Sequence, residues 1–343
     1  MMKYKLLGRS GLRVSELALG SMTFGTDWGW GADKETSRQI FDAFVEAGGN
    51  FIDTANNYTD GTSETFVGEF IAEERDRYVV ATKYTLRLNN GDGRNFNLGG
   101  NSRKSMVRSV ENSLRRLNTD YIDVLYLHMW DFMSPIDEVL RAMDDLVRSG
   151  KVLYVGFSDT PAWVQSNAVA LAEQHGWTRP VVTQLPYNVA SRDPERAVIP
   201  MAKTFDITIT AWGLLSGGAF TGKYNEENDD LKRYEGASEK EKAIAAQLYM
   251  FAKEYGRSPA QIAINWVRQQ ANVIPILGAR TVAQIEDNLG CLDFALTDEQ
   301  MDQLNEISEF KIGFPLSFLT NDHVRGLIFG DTFQQIDNHR NIF

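Results

Sequence analysis

Four side chains in this sequence have the types and spacing to do chemistry together: Asp53, Tyr58, Lys83 and His128. Three of them end or directly follow short apolar runs that read as β-strands, Asn50–Asp53, Tyr78–Thr82 and Asp123–Leu127. Tyr58 lies five residues beyond the first of these runs. Reducing a carbonyl by hydride transfer leaves an alkoxide that must be protonated as it forms. A phenol can supply that proton, although its free pKa of about 10 makes it a weak acid at pH 7. A neighbouring ammonium stabilises the phenolate. At ~4 Å and an effective dielectric of ~20 the attraction is on the order of 4 kcal/mol, up to about three pKa units. Lys83 can provide that charge, Asp53 can hold it in place, and His128 can donate to the carbonyl oxygen and orient it. Singly, each residue has a plainer role: packing for Tyr58, a helix cap for Asp53, a satisfied buried imidazole for His128. The combination on consecutive strands argues for chemistry.

The elements that must position them repeat from end to end. Eight short apolar runs alternate with helix-period segments: Glu16–Gly20, Asn50–Asp53, Tyr78–Thr82, Asp123–Leu127, Val152–Phe157, Val181–Leu185, Ile207–Ala211 and Val273–Pro275. Their spacing is that of βα units, except for a longer gap before the last. Helical stripes show in Val107, Val110, Leu114 and Leu117, and in Ile136, Val139, Leu140, Met143 and Val147. Thr160-Pro161 and Ser258-Pro259 look like caps before a first-turn proline, and Ser258/Gln261 and Thr297/Gln300 have capping-box spacing. Eight such units close most simply as a (β/α)8 TIM barrel of class α/β, whose chemistry sits at the C-terminal rim. The competitor is an open doubly wound sheet, which carries GxGxxG after its first strand. Here Gly20-Ser21-Met22-Thr23-Phe24-Gly25 does not match. Tyr4–Leu6 and Leu12–Val14 flank Gly8-Arg9-Ser10-Gly11, a hairpin expected to cap the barrel floor. No linker interrupts the pattern, so residues 1–343 read as a single domain. The charged stretch Tyr224–Ser238 reads as a loop, and the Phe- and Gly-rich residues from Phe310 onward are expected to wrap the rim.

The chain has 343 residues and a formal net charge of −11. That charge argues against nucleic acid or an anionic membrane as partner. One cysteine, Cys291, allows no intrachain disulfide, and the first residues hold no apolar stretch of signal-peptide length. A cytoplasmic location is the expectation, and self-association into a homo-oligomer is left open. The four histidines, at positions 128, 175, 323 and 339, are scattered, which disfavours a metal-dependent hydrolase and a metal site of any kind.

The segments Phe51-Ile52-Asp53-Thr54-Ala55-Asn56-Asn57-Tyr58, Ala81-Thr82-Lys83 and Leu125-Tyr126-Leu127-His128 resemble the aldo-keto reductase superfamily over residues 3–308, nearest its bacterial and potassium-channel-β-like branches. The resemblance implies an NADP(H)-dependent oxidoreductase acting on an aldehyde or ketone, or on an alcohol in reverse. In it Tyr58 is the general acid/base, Asp53 and Lys83 tune it, and His128 orients the substrate. It further implies that Ser158, Asp159 and Gln184 hold the nicotinamide amide, although Asp159 stands where an Asn is usual. Trp212 stacks on the ring; the plainer reading of Trp212 is barrel core. Gly213, Leu214, Leu215, Ser216 and Gly217, with Lys223, resemble the pyrophosphate loop. Gly278, Arg280, Gln284 and Asn288 resemble the adenosine-phosphate site, with Arg280 on the 2′-phosphate and Arg233 as a second phosphate contact. Phe24, Trp28, Trp30 and Trp130 follow the first and fourth runs and are expected to face an apolar or aromatic carbonyl substrate. Some relatives in the resembled family act instead as redox-sensing partner proteins with little turnover, and this is the alternative function.

Overall fold

The computed structural model of the protein describes residues 1–88, 95–221 and 238–337. The antiparallel hairpin is β1 (Tyr4–Leu6) and β2 (Arg13–Ser15). Eight further strands follow: β3 (Ala18–Gly20), β4 (Phe51–Asp53), β5 (Val79–Tyr84), β6 (Ile122–Leu127), β7 (Val152–Ser158), β8 (Pro180–Pro186), β9 (Thr208–Trp212) and β10 (Val273–Gly278). They pair in parallel in chain order, and β10 closes back on β3, giving the expected (β/α)8 barrel.

The hairpin plugs the floor, as its position before the first barrel strand suggested. Gly8 N–H donates to Thr208 Oγ1, Arg9 N–H to Asp206 O, and Lys5 Nζ to Val273 O, all at the N-terminal ends of β9 and β10. The long gap before β10 is filled in part by two helices, Glu239–Tyr255 and Pro259–Arg268, where the other units have one main helix.

Strand side chains alternate in and out of the barrel, so each strand sends every second residue inward. Leu7 and Val14 of the floor join Ala18, Phe51, Val79, Ala81, Val124, Tyr126, Val182, Ile274 and Ile276 in one interior cluster. The alternate residues, among them Ile52, Val80, Leu125 and Tyr84, pack outward against the helices. Gly156 makes room for this filling. A Cβ there would lie 2.6 Å from Val182 Cγ1 and 3.0 Å from Tyr126 Cε1, so the Tyr126 ring occupies the space a side chain would need.

Several local expectations need correction. Lys83 does not follow the third run but lies inside β5, and β10 continues past Pro275 to Gly278. Thr160 caps no helix; its hydroxyl turns back to Ser158 O, and Pro161 takes the cap position. Ser258 does cap its helix, but the Gln261 side chain goes to Asp287, so of the two expected boxes Thr297/Gln300 alone is complete. Val107 is exposed, because the buried face of helix Arg103–Leu117 runs through Met106, Val110, Ser113 and Leu117. The C-terminal segment is tied to the barrel as far as Lys311, whose carbonyl accepts from Arg196. Beyond it the described hydrogen bonds of residues 312–337 stay within the tail, and Phe314, Leu327 and Ile328 are exposed. Of the charged loop only Ser238 is described, capping helix Glu239–Tyr255.

Candidate active site

The inward alternation that fills the barrel also builds its top layer. Counting by twos from Phe51, from Val79 and Ala81, and from Val124 and Tyr126 arrives at Asp53, Lys83 and His128. The same count along β7, β8 and β9 brings Ser158, Gln184 and Trp212 to that rim. Lys83 is fully buried and sits at the centre of the polar contacts. Its Nζ donates to Asp53 Oδ1 at 2.6 Å, to Thr54 O at 2.8 Å and to the Tyr58 hydroxyl at 3.1 Å. Asp53 Oδ2 accepts from Gln184 Nε2 at 2.8 Å. The His128 ring stands edge-on to Tyr58, centroids 6.0 Å apart, and the Trp28 ring lies 6.5 Å away on Tyr58.

Tyr58 reaches this point by a tight turn. The two residues after it, Thr59 and Asp60, adopt φ of 46° and 54°, in the left-handed region. For β-branched Thr59 that costs on the order of 1–2 kcal/mol. The conformation is held because the buried Thr59 hydroxyl donates to Phe24 O at 2.6 Å and accepts from Ser63 N–H. This corrects the reading of Phe24 as a substrate contact. Its side chain is wholly buried against Phe70, and its carbonyl anchors the Tyr58 turn.

The charges are set by burial. Burial works against the Lys83 ammonium, yet Asp53 and Tyr58 more than offset it and hold its pKa above the ordinary value. Tyr58 departs from the sequence expectation: burial raises its hydroxyl pKa, and the pull of Lys83, countered by Asp53, does not bring it below the usual phenol value. The phenol therefore keeps its proton at neutral pH, which is the form that can donate one. Burial, aided by Lys83, drives the His128 imidazole down to about 3. Its Nδ1 is buried without a hydrogen-bond partner among the described residues.

The His128 shift has a consequence for stability. Below pH 6.5 the unfolded chain takes up a proton that the folded imidazole refuses. Stability is thus lost as pH falls from 6.5 toward 3, at about 1.4 kcal/mol per pH unit from this one group. Urea unfolding between pH 6 and pH 4 should show a shallower acid loss for His128→Gln than for wild type; parallel curves would mean that His128 titrates alike in both states.

The residues read as cofactor contacts surround this layer. Ser158 is buried at the end of β7. Asp159 follows at φ 40°, its N–H on Gln184 O and its carboxylate near the Trp212 side chain. Burial raises the Asp159 pKa, against the pull of Trp212 and Lys83. Trp212 is 42% exposed, which rules out the core reading. One Gln184 amide proton is committed to Asp53, a contact the sequence did not indicate. Leu214 is buried, Leu215 and Ser216 are half-buried, and Gly213 and Gly217 are exposed with φ of 73° and 66°. Among the described residues no atom lies within 4 Å of a Cβ built on either glycine, which leaves their backbone open to a ligand. Asn188 Nδ2 holds the Gly213 carbonyl. Across the rim, Gly278 ends β10 and the exposed Arg280 follows; its guanidinium makes no ion pair among the described residues. Gln284 Oε1 accepts from Arg280 N–H, and buried Asn288 donates to Gly278 O, so both brace the loop. Lys223 and Arg233 lie outside the described residues. Trp30 packs on Trp28, and Trp130 is half-buried against the core.

A buried acid–amine–phenol cluster with an imidazole at its edge, on the C-terminal rim of an eight-stranded barrel, agrees with what comparison of the whole chain finds. The aldo/keto reductase family model matches residues 16–309. The chain belongs to the aldo/keto reductase family. Among its relatives is an aryl-alcohol dehydrogenase [NADP(+)] of Phanerodontia chrysosporium, 41% identical, the match spanning 94% of this chain and 87% of the relative. The norsolorinic acid reductase stcV of Emericella nidulans is 39% identical, over 90% of this chain and 82% of the relative. As a family member this protein is an oxidoreductase of the carbonyl/alcohol class. No helix among the described residues is long and apolar enough to cross a membrane.

Proposed function

We propose that the protein is an NADP(H)-dependent reductase of aldehydes and ketones, working in reverse as an alcohol dehydrogenase, with Tyr58 as general acid/base. The observation that carries this reading is the Tyr58 hydroxyl 3.1 Å from a buried ammonium that Asp53 holds at 2.6 Å. A bound nicotinamide supplies or accepts the hydride. The chain's own groups manage the proton and the oxygen. Tyr58 gives its proton to the oxygen as charge develops there, and Lys83 stabilises the phenolate left behind. Asp53 and Thr54 O fix the ammonium. His128, neutral and edge-on to Tyr58, holds the same oxygen by an N–H. Ser158 and Gln184 border the nicotinamide end, with Asp159 beside Trp212, and the open glycines Gly213 and Gly217 admit backbone amides to the diphosphate. Trp28, Trp30 and Trp130 favour an aromatic or apolar carbonyl compound, in keeping with a relative named for aryl alcohols.

Steady-state oxidation of NADPH with 4-nitrobenzaldehyde tests the reading. Turnover well above background supports it; tight NADPH binding without turnover would favour the redox-sensing alternative. For the choice of NADP over NAD, Arg280 is an exposed cation just past the end of β10 with no ion pair among the described residues. A charge-assisted contact to the 2′-phosphate is worth about 1.5–3 kcal/mol, so Arg280→Ala should weaken NADP(H) about 10- to 100-fold. NAD(H) binding should change little, and equal weakening of both cofactors by fluorescence titration would remove Arg280 from the 2′-phosphate.

A further inference from the structure

Three residues that neither the sequence motifs nor the proposed mechanism use form a buried polar brace beside His128. Asn101, just ahead of helix Arg103–Leu117, is fully buried. Its Nδ2 donates to Thr85 Oγ1 and to Met129 O, both at 2.9 Å. Its Oδ1 accepts from Asp131 N–H at 2.7 Å, and its own N–H donates to Asp131 Oδ2 at 2.7 Å. Thr85 Oγ1 also accepts from His128 N–H at 3.2 Å, beside the Tyr84 carbonyl at the same distance. Asp131 in turn accepts from Met133 N–H, Ser134 N–H and Ser134 Oγ. The segment from His128 to Asp131 is therefore pinned at its entry, at its second residue and at its fourth. Trp130 lies between two of the pins.

Thr85 stands at φ 105°, a region that β-branched residues almost never enter. The conformation persists because Gly100 N–H holds its carbonyl at 2.8 Å while Asn101 and His128 hold its hydroxyl. Backbone strain kept in place by surrounding bonds clusters where geometry serves function. Thr85 is two residues beyond Lys83, so the brace ties the end of the strand carrying the ammonium to the end of the strand carrying the imidazole.

We propose that Thr85, Asn101 and Asp131 are positioning residues that fix the His128 imidazole and the Trp130 ring relative to Tyr58, through hydrogen bonds to residues 128–131. This rests on the reading of His128 as the group that holds the carbonyl oxygen. The described hydrogen bonds of the brace reach no residue of β8, β9 or β10, so its loss should affect turnover and leave cofactor binding intact.

The test uses the full chain, NADPH and 4-nitrobenzaldehyde, with variants Thr85→Val, Thr85→Ser, Asn101→Ala and His128→Gln. Thr85→Val keeps shape and removes the hydroxyl; Thr85→Ser restores it. Misplacing a reacting group by about 1 Å can cost on the order of 100-fold, so Thr85→Val and Asn101→Ala should each lower kcat by about 10- to 100-fold. The NADPH dissociation constant should stay within about twofold, and Thr85→Ser should recover at least about half of the wild-type kcat. Residues acting through one group are not additive, so adding Thr85→Val to His128→Gln should cost less than about threefold more. Multiplying losses in the double variant, or wild-type kcat in folded Thr85→Val, overturns the brace. Should Asn101→Ala fail to fold, the isosteric Thr85→Val and its cycle with His128→Gln decide. A wild type with no turnover overturns the functional reading and the brace together; a turning-over wild type with additive losses overturns the brace alone.

Discussion

Tyr58→Phe should lower kcat for carbonyl reduction by about 10²–10⁴-fold, the usual contribution of a positioned general acid. The ring would remain where it is. The ring packs beside the His128 and Trp28 rings and has the Lys83 ammonium 4.7 Å from its centroid, and these ring contacts do not involve the hydroxyl. Lys83 keeps Asp53 and Thr54 O as acceptors, so the change costs one hydrogen bond, about 1 kcal/mol of stability. NADPH binding should be unchanged within about twofold, because the hydroxyl is used only as charge develops on the oxygen. Stopped assays for kcat, a fluorescence titration for the cofactor and a thermal melt separate these quantities. A folded Tyr58→Phe protein that keeps more than about a tenth of wild-type kcat would end the assignment of Tyr58 as proton donor.

The barrel was legible because short apolar runs and helical stripes alternate from end to end, and because buried parallel strands need few polar residues. The strand ends were less legible, for identifiable reasons. A lysine after Val79-Val80-Ala81-Thr82 marks where the apolar run ends, yet Asp53 compensates its charge and lets β5 carry it inside. Pro275 looks like a stop, but β10 tolerates one missing N–H and runs on. Phe24 was placed on the rim by its position after the first strand; nothing local reveals that Phe70 on a later helix covers it. The roles of Thr85, Asn101 and Asp131 leave no sequence signal at all. They meet across 16 to 30 positions, partly through backbone groups, and loop Thr, Asn and Asp residues are ordinary. The Tyr58 turn is similar: its strain at Thr59 follows from tertiary hydrogen bonds, not from a turn motif.

Lys83→Met should abolish most turnover and also destabilise the fold, and the two losses can be pulled apart. Lys83 is wholly buried and Asp53 nearly so. Removing one partner of such a pair leaves an uncompensated buried charge, at a cost of about 3–5 kcal/mol. Asp53 would keep only the Gln184 amide as a side-chain donor among the described contacts. In the wild type the folded Lys83 pKa lies above its ordinary 10.5. The stabilisation from its charge is therefore complete below the unfolded pKa and fades only as pH rises through the higher folded value. Lys83 itself contributes no pH dependence to the comparison between pH 6 and 9. In Lys83→Met/Asp53→Asn both charges are gone and the two groups differ little in volume from the originals. Much of the stability should return, because replacing a whole buried pair by neutral groups is often close to neutral. Activity should not return, since Tyr58 still lacks the ammonium that steadies its phenolate. Urea midpoints at pH 7 with the slope held constant give the stabilities, and NADPH oxidation gives the rates. If Lys83→Met matched wild type in urea, the pair would contribute nothing to the fold. If the double variant regained turnover, the ammonium would have served only to neutralise Asp53, and the tuning of Tyr58 by Lys83 would have to be given up.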